Sequence, residues 1–361
     1  MNEKFQHLID LDDYPIEWVK KVVELGHDIK EHPTRYIQAC SGKIMATLFY
    51  EPSTRTQMSF QTAMIRLGGS IIGFDNPATS SVSKGENLKD TTKIVSSYAD
   101  IVIMRHTQEG AAKAAALTAE CPVVNAGDGG HLHPTQTLTD LLTLHEEKGR
   151  LDNLKIGLCG DLLNGRTVHS LCKALSNFEN NEFYLISTPE LRLPAYVRNI
   201  ITANGCTYKE VDTIEEIIPE LDMLYMTRIQ RERFASEAEY FSQKDTYILD
   251  KAKMQLASDK LIVMHPLPRV DEIAVEVDDD ERALYFKQAS YGVYVRMALI
   301  MTLLDNKEPK ALLCGEKHKG VSCHNPKCIT RSELYLPKSF IQNSEGNYVC
   351  EYCDAVIDPK A

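Results

Sequence analysis

Apolar residues along this chain fall into short runs bounded by polar loops, and the runs alternate with stretches of helical spacing. The runs predict strands over Ile44–Tyr50, Ser70–Phe74, Ile101–Met104, Pro122–Asn125, Lys155–Cys159, Phe183–Ile186, Met223–Met226 and Leu261–Met264. Between them, helices are predicted over Thr54–Leu67, Leu88–Tyr98, Gln136–Lys148, Arg166–Ser176 and Ala195–Ala203. In the first of these, Phe60, Met64 and Leu67 share one face. Strands alternating with helices predict α/β architecture, with parallel sheets covered by helices on both faces. Ligands of such sheets sit outside the carboxyl ends of the strands. A break between two α/β lobes is expected near His133-Pro134, and a linker at Asp305-Asn306-Lys307-Glu308-Pro309.

Composition narrows the class. The chain has 361 residues, 43% apolar and 25% charged, which suits two globular domains and a remainder. No apolar run approaches the ~20 residues that span a bilayer, so no membrane association is expected. Residues Met1 to Lys21 carry Asp10, Asp12, Asp13 and Glu17 and do not read as a signal peptide, so a cytoplasmic location is expected. The net charge of −11 argues against nucleic acid as the main partner. It leaves room for a small anion, because local arginines decide that.

Polar motifs recur just after the predicted strands. Ser53-Thr54-Arg55-Thr56 follows the first strand and opens a helix. The first helical N–H groups are unpaired, the helix dipole is positive there, and an arginine fork matches phosphate. The plain alternative is an ordinary Ser/Thr N-cap; Arg55 between two threonines favours phosphate. Ser80-Ser81-Val82-Ser83-Lys84 is a small polar loop, either a solvated connection or a lid carrying Lys84 to an anion. Arg105-His106 follows the third strand. His133-Pro134-Thr135-Gln136 joins a Gly-rich loop to a helix, where His133 and Gln136 can share a pocket. Gly160–Thr167 lacks G-x-G-x-x-G, which excludes a nicotinamide cofactor; Arg166 there suits a carboxylate. Arg228 and Gln230, two apart after the seventh strand, face one side if extended and suit a second carboxylate. In His265-Pro266-Leu267-Pro268-Arg269 the prolines favour an extended turn with free carbonyls that can accept from an amine, and Arg269 can brace it through an acidic partner.

Six of the ten cysteines are scattered and read as inert thiols. The other four, Cys323-x4-Cys328 and Cys350-x2-Cys353, are two close pairs separated by 21 residues. That spacing predicts a closed four-thiolate zinc site of the ribbon type, structural and not catalytic. Ala311 to Ala361 holds six basic and six acidic residues, which disfavours nucleic acid as this module's ligand. The expected fold is therefore two lobes of parallel sheet flanked by helices, plus a small C-terminal all-β zinc-ribbon-like domain.

Taken together and in order, these motifs resemble the aspartate carbamoyltransferases. Ser53-Thr54-Arg55-Thr56 is similar to the carbamoyl-phosphate signature of carbamoyltransferases, and the later motifs match over about residues 5–305. Cys328-Ile329-Thr330 and Cys350-Glu351-Tyr352-Cys353 resemble the zinc domain of that enzyme's regulatory chain. The resemblance implies a carbamoyl-phosphate domain over 1–134, completed by a helix over 288–305, an aspartate domain over 135–287 and a zinc domain over 306–361. It implies that Ser53, Thr54, Arg55, Thr56, Ser80, Ser81, Lys84, Arg105, His133 and Gln136 bind carbamoyl phosphate. Arg55, Thr56, Arg105, His133 and Gln136 would be catalytic. Lys84, Arg166, Arg228, Gln230, Leu267 and Pro268 would bind L-aspartate. The family pattern also implies homo-oligomers built on trimers, with Ser80 or Ser81 and Lys84 inserted from a neighbouring subunit and the zinc domain linking larger assemblies. The nucleotide-binding domain of separate regulatory chains has no counterpart, which puts nucleotide control in doubt. Ornithine-type relatives carry a cysteine where this chain has Leu267, so aspartate is the expected acceptor. A non-catalytic assembly protein displaying the zinc module is the rival from another class.

Overall fold

The computed structural model describes residues 6–229, 236–237, 246–305, 311–317, 321–343 and 345–357. These form two compact units, residues 1–135 with 293–361 and residues 136–292. Along the chain run α1 (Ile16–Glu31), β1 (Ile44–Phe49), α2 (Thr54–Arg66), β2 (Ser70–Phe74), α3 (Leu88–Tyr98), β3 (Ile101–His106), α4 (Ala111–Ala116) and β4 (Val123–Asp128). Then follow α5 (Pro134–Lys148), β5 (Lys155–Cys159), α6 (Arg166–Leu175), β6 (Glu182–Ile186), α7 (Ala195–Ala203), β7 (Thr207–Val211), β8 (Met223–Met226), α8 (Lys251–Leu256), β9 (Ile262–Met264) and α9 (Tyr285–Asp305). The chain ends in β10 (Glu316–Lys317), β11 (Ser339–Gln342), β12 (Tyr348–Cys350) and β13 (Val356–Ile357). Among the described residues, no helix is long and apolar enough to cross a membrane.

In the first unit a parallel sheet has the order β2-β1-β3-β4. Its central strands are buried along nearly their whole length, because a parallel strand is covered on both faces. In the second unit a parallel sheet has the order β7-β6-β5-β8-β9. The expected α/β sheets are present, with differences at their margins. β3 runs on to His106, so Arg105 and His106 lie within the strand instead of after it. Tyr50 leaves β1, although its N–H still donates to the Arg105 carbonyl at 2.8 Å. α5 starts at Pro134, directly behind His133. β7 escaped the hydrophobic pattern because it is an edge strand with mostly exposed side chains. α4 is alanine-rich and buried at every position but Lys113, so it shows no polar face to mark its period.

The last four strands form an antiparallel sheet of order β10-β11-β12-β13, the expected small all-β domain. It packs into the first unit. Its buried Ile329, Phe340 and Tyr352 share one apolar cluster with Ala111, Ala114 and Ala115. Backbone bonds join the Glu109 N–H to the Lys327 carbonyl and the Ile329 N–H to the Glu109 carbonyl, each 2.9 Å. Gly110, at φ +83°, passes so close that a Cβ there would stand 2.5 Å from the Tyr352 carbonyl oxygen. Lys113 Nζ donates to the Glu351 carbonyl at 2.6 Å. The Leu88 N–H donates to Glu333 and the Lys89 N–H to the Tyr335 hydroxyl. His131 lies between Asp128 Oδ2 at 3.0 Å and Asp354 Oδ2 at 2.9 Å. Burial opposes its charge, but the bonds to Asp128 and then Asp354 outweigh that and push its pKa up to about 10.

Candidate active site and metal centre

In the first sheet the strand order reverses direction between β1 and β3, so the connections leaving these strands diverge and open a crevice at their carboxyl ends. Ser53–Thr56 follows β1 and Arg105 stands near the end of β3, one on each side of that switch point. Ser53 occupies the N-cap of α2 but does not cap it: its hydroxyl donates to Thr56 Oγ1 at 3.0 Å. The Ser53 side chain does not cap the first-turn amides, and among the described residues no other side chain accepts from them, which is what an anion needs. Arg105 is held by Glu51 at 2.9 Å and by the Ala126 carbonyl at 3.3 Å, while its buried Nε has no hydrogen-bond partner among the described residues. Partial desolvation, and then the charge of Arg105, disfavour the protonated form of Arg55. Two guanidiniums near enough to repel favour an anion beside them.

Ser80 joins two successive 3-10 turns, Pro77–Thr79 and Ser81–Lys84. Ser80 Oγ is committed to the turn, donating to the Pro77 carbonyl at 2.8 Å and accepting from the Val82 N–H. Ser81 and Lys84 are exposed. His133 is buried, 3.4 Å from Thr135 Oγ1. His106 is buried too, and its Nδ1 accepts from the Gln108 N–H at 2.9 Å, so the ring is neutral; burial lowers its pKa to about 4.

The second sheet repeats the arrangement, with its switch point between β5 and β8. Arg166 opens α6 after β5, Arg228 follows β8, and both are half-buried. Gln230 lies outside the described residues. After β9, His265 Nε2 bonds Glu272 at 2.7 Å, and its Nδ1 accepts from the Leu267 N–H at 2.8 Å. Leu267 has a φ of 53°, rare for a branched side chain, and the Leu267–Pro268 bond is cis. Among the described residues nothing donates to the Leu267 carbonyl. Arg269 is paired with Asp278 and donates to the Tyr285 hydroxyl, so the expected acidic brace exists. Gln136 donates through Nε2 to Asp140 Oδ1 at 2.8 Å.

The four cysteines converge as their spacing predicted. The sulfurs of Cys323, Cys328, Cys350 and Cys353 lie within 4.8 Å of one another and all four residues are buried. Cys323 to Cys353 is 3.5 Å and Cys328 to Cys350 is 3.9 Å. A tetrahedron of sulfurs about 2.3 Å from zinc has edges of about 3.8 Å, so the cage fits zinc. Four thiolates leave no open coordination position, so an ion held here would be structural, tying the loop that bonds Glu109 to the strands behind it.

Sequence reasoning missed Glu51, which holds Arg105, and Asp140, which holds Gln136. Only Asp140 left a signal, four residues beyond Gln136 on one helix face.

Two outcomes test this geometry. His106 is neutral in the fold, with its pKa below the unfolded value. It therefore contributes stability that is complete above about pH 6.5 and is lost as pH falls toward 4, at most roughly 3 kcal/mol. His106→Gln should flatten that limb of the midpoint-against-pH curve; an unchanged slope contradicts a buried neutral ring. Stripping the metal with a thiol reagent should release one zinc per chain and remove amide-exchange protection at Glu109 and Ile329. Protection that survives would show that zinc does not hold the seam.

Residues 6–146 match the family model described as the aspartate/ornithine carbamoyltransferase carbamoyl-P binding domain, and residues 152–303 match the Asp/Orn binding domain. Residues 318–361 match the metal binding domain of the aspartate carbamoyltransferase regulatory chain. The chain is 59% identical over 302 residues to an aspartate carbamoyltransferase catalytic subunit of Clostridium perfringens, covering 83% of this chain and 98% of the relative. Among solved structures it is similar to the catalytic subunit of M. jannaschii aspartate transcarbamoylase, with TM-score 0.78, 46% identity and coverage of 83% and 98%. It is also similar to Trypanosoma cruzi aspartate transcarbamoylase in complex with carbamoyl phosphate and aspartate, with TM-score 0.78, 38% identity and coverage of 83% and 97%. With catalytic-subunit relatives matched nearly end to end and a regulatory-type zinc module behind that match, the chain belongs to the aspartate carbamoyltransferase family.

Proposed function

We propose that this protein transfers the carbamoyl group of carbamoyl phosphate to the amino group of L-aspartate, giving N-carbamoyl-L-aspartate and phosphate, an early step of pyrimidine biosynthesis. The α-amino nitrogen attacks the carbamoyl carbon, the C–N bond forms, the C–O bond to phosphate breaks, and the departing phosphate takes the proton. The tetrahedral intermediate carries an oxyanion. Thr56, Arg105 and His133 donate to that oxygen; losing one such donor costs ~3 kcal/mol of barrier stabilisation. Ser53, Thr54, Arg55 and Arg105 grip the phosphate, and Gln136 holds the carbamoyl amide. Arg166, Arg228 and Gln230 bind the two carboxylates of aspartate, and the Leu267 carbonyl beside Pro268 accepts from its amine. No protein nucleophile is required, so positioning supplies much of the acceleration.

The observation that carries this reading is the α2 N-terminus: Ser53 leaves its first-turn amides to an outside anion, with Arg55 and the partly unpartnered Arg105 beside them. The carbamoyl-phosphate domain is residues 1–134 with 288–305, the aspartate domain 135–287 and the zinc domain 306–361. In a trimer-based oligomer, Ser81 and Lys84 serve the site of a neighbouring subunit; Ser81 suits this better than Ser80, whose hydroxyl is spent on its own turn. The zinc domain then links such trimers, and the enzyme works in the cytoplasm.

Carbamoyl transfer should proceed with L-aspartate and not with L-ornithine, and Arg55→Ala should lower kcat/KM for carbamoyl phosphate roughly 100-fold or more. Near-normal kinetics for that variant would remove the phosphate assignment, and a preference for ornithine would overturn the acceptor. Mixing Lys84→Ala with His133→Ala subunits should restore part of the activity; a verified mixed oligomer that stays inactive would contradict a shared site.

A further inference from the structure

Asp140 lies in α5, fully buried in the second unit, and takes no part in the chemistry above. Its Oδ1 accepts from Gln136 Nε2 at 2.8 Å and from Gln288 Nε2 at 2.7 Å. Its Oδ2 accepts from the Tyr225 hydroxyl at 2.9 Å. Tyr225 and Gln288 are themselves buried. Burial, and then the Asp140 charge, hold the Tyr225 hydroxyl well above the ordinary phenol range, so it stays a donor.

A carboxylate only accepts, so each amide facing it must present its NH2. This sets the polarity of both side chains. Gln136 is turned so that its Oε1 is the end left for a ligand, which is the acceptor that a carbamoyl NH2 requires. Gln288 is turned so that its Oε1 accepts from the His265 N–H at 2.9 Å. His265 Nδ1 in turn accepts from the Leu267 N–H. One carboxylate oxygen thus connects the residue assigned to the carbamoyl amide with the turn assigned to the attacking amine. Rotation of either amide by half a turn would place its oxygen against the Asp140 carboxylate oxygen, and for Gln288 it would also set N–H against the His265 N–H.

We propose that Asp140 is the positioning residue of this enzyme: it fixes the amide polarity of Gln136 and, through Gln288 and His265, the place of the Leu267 turn, so that acceptor groups face both nitrogens of the reacting pair. This rests on the assignments of Gln136 and Leu267 made above. Small displacements of such groups are costly, because reacting atoms must be held about 3–3.5 Å apart and a misplacement of about 1 Å can cost roughly 100-fold.

A double-mutant cycle on the full chain tests it, with kinetics for both substrates and the thermal midpoint of each variant. Asp140→Asn supplies an NH2 that lets Gln136 turn over, and should lower kcat/KM for carbamoyl phosphate about 10- to 100-fold, the loss expected for a hydrogen bond to a charged acceptor. Gln136→Ala should lower it too, and Asp140→Asn should cost less on top of Gln136→Ala than it costs alone, because only the arm through Gln288 is then left to lose. Gln288→Met keeps the Asp140–Gln136 bond and breaks the path to His265. It should raise KM for aspartate severalfold and leave KM for carbamoyl phosphate in place. A folded Asp140→Asn enzyme with unchanged kinetics, or losses that multiply in the double variant, would overturn the inference. If Asp140→Asn does not fold, Gln288→Met decides: an unchanged KM for aspartate rejects the connection. A silent Gln136→Ala would reject the Gln136 assignment instead, and the Gln288→Met result would still judge the hub.

Discussion

The start of α2 is a helix end that its own sequence declines to cap. A serine at the N-cap normally accepts from the amide two or three residues on. Here Ser53 is turned to Thr56 Oγ1, and the first-turn amides keep their unsatisfied donors and their positive end of the dipole. An unsatisfied terminus costs stability unless water or a ligand completes it. The neighbouring cations raise the stakes. Arg55 is disfavoured by partial desolvation and by Arg105, and Arg105 carries a buried Nε with no partner. In this account the local instability is the binding function: an anion placed there satisfies the amides and relieves the repulsion.

Sheet topology puts this helix end where a ligand can reach it. In both units two neighbouring central strands send their connections in opposite directions, and the assigned groups follow those strands: Ser53–Thr56 and Arg105 in the first unit, Arg166 and Arg228 in the second. Around them stands a set of groups that never touch substrate in this account. Glu51 holds Arg105, Glu272 holds His265 and Asp140 holds Gln136. The zinc module adds a third kind of support. Its contacts fall on Leu88, Lys89, Glu109, Gly110, Lys113 and His131, close in sequence to Lys84, Arg105 and His133. The Lys327–Ile329 loop, which carries Cys328 of the four-cysteine cage, is thus bonded on both sides to Glu109 in the turn that follows β3.

What could be read from the sequence follows from which interactions are local. Strand cores such as Ile101–Met104 and Lys155–Cys159 announce themselves as apolar runs, and the zinc cage announces itself through two close cysteine pairs. Motifs after strands mark the carboxyl ends where ligands sit, while the strand order that sets the switch points is not local. The edge strand β7 and the alanine-rich α4 are silent, the first because solvent accepts its polar side chains, the second because burial on every side erases its period. Partner choice is also silent. Nothing local says that Ser80 spends its hydroxyl on Pro77, that Glu51 takes Arg105, or that Gln288 reaches Asp140 across 148 residues of chain.

The most direct test is a crystal structure of the full chain with a bisubstrate mimic that carries a phosphonate. Phosphonate oxygens are expected within hydrogen-bond distance of the backbone nitrogens of Thr54, Arg55 and Thr56, with the Arg55 and Arg105 guanidiniums closed on them. A bound mimic whose phosphonate lies elsewhere, with those amides facing water, would contradict it.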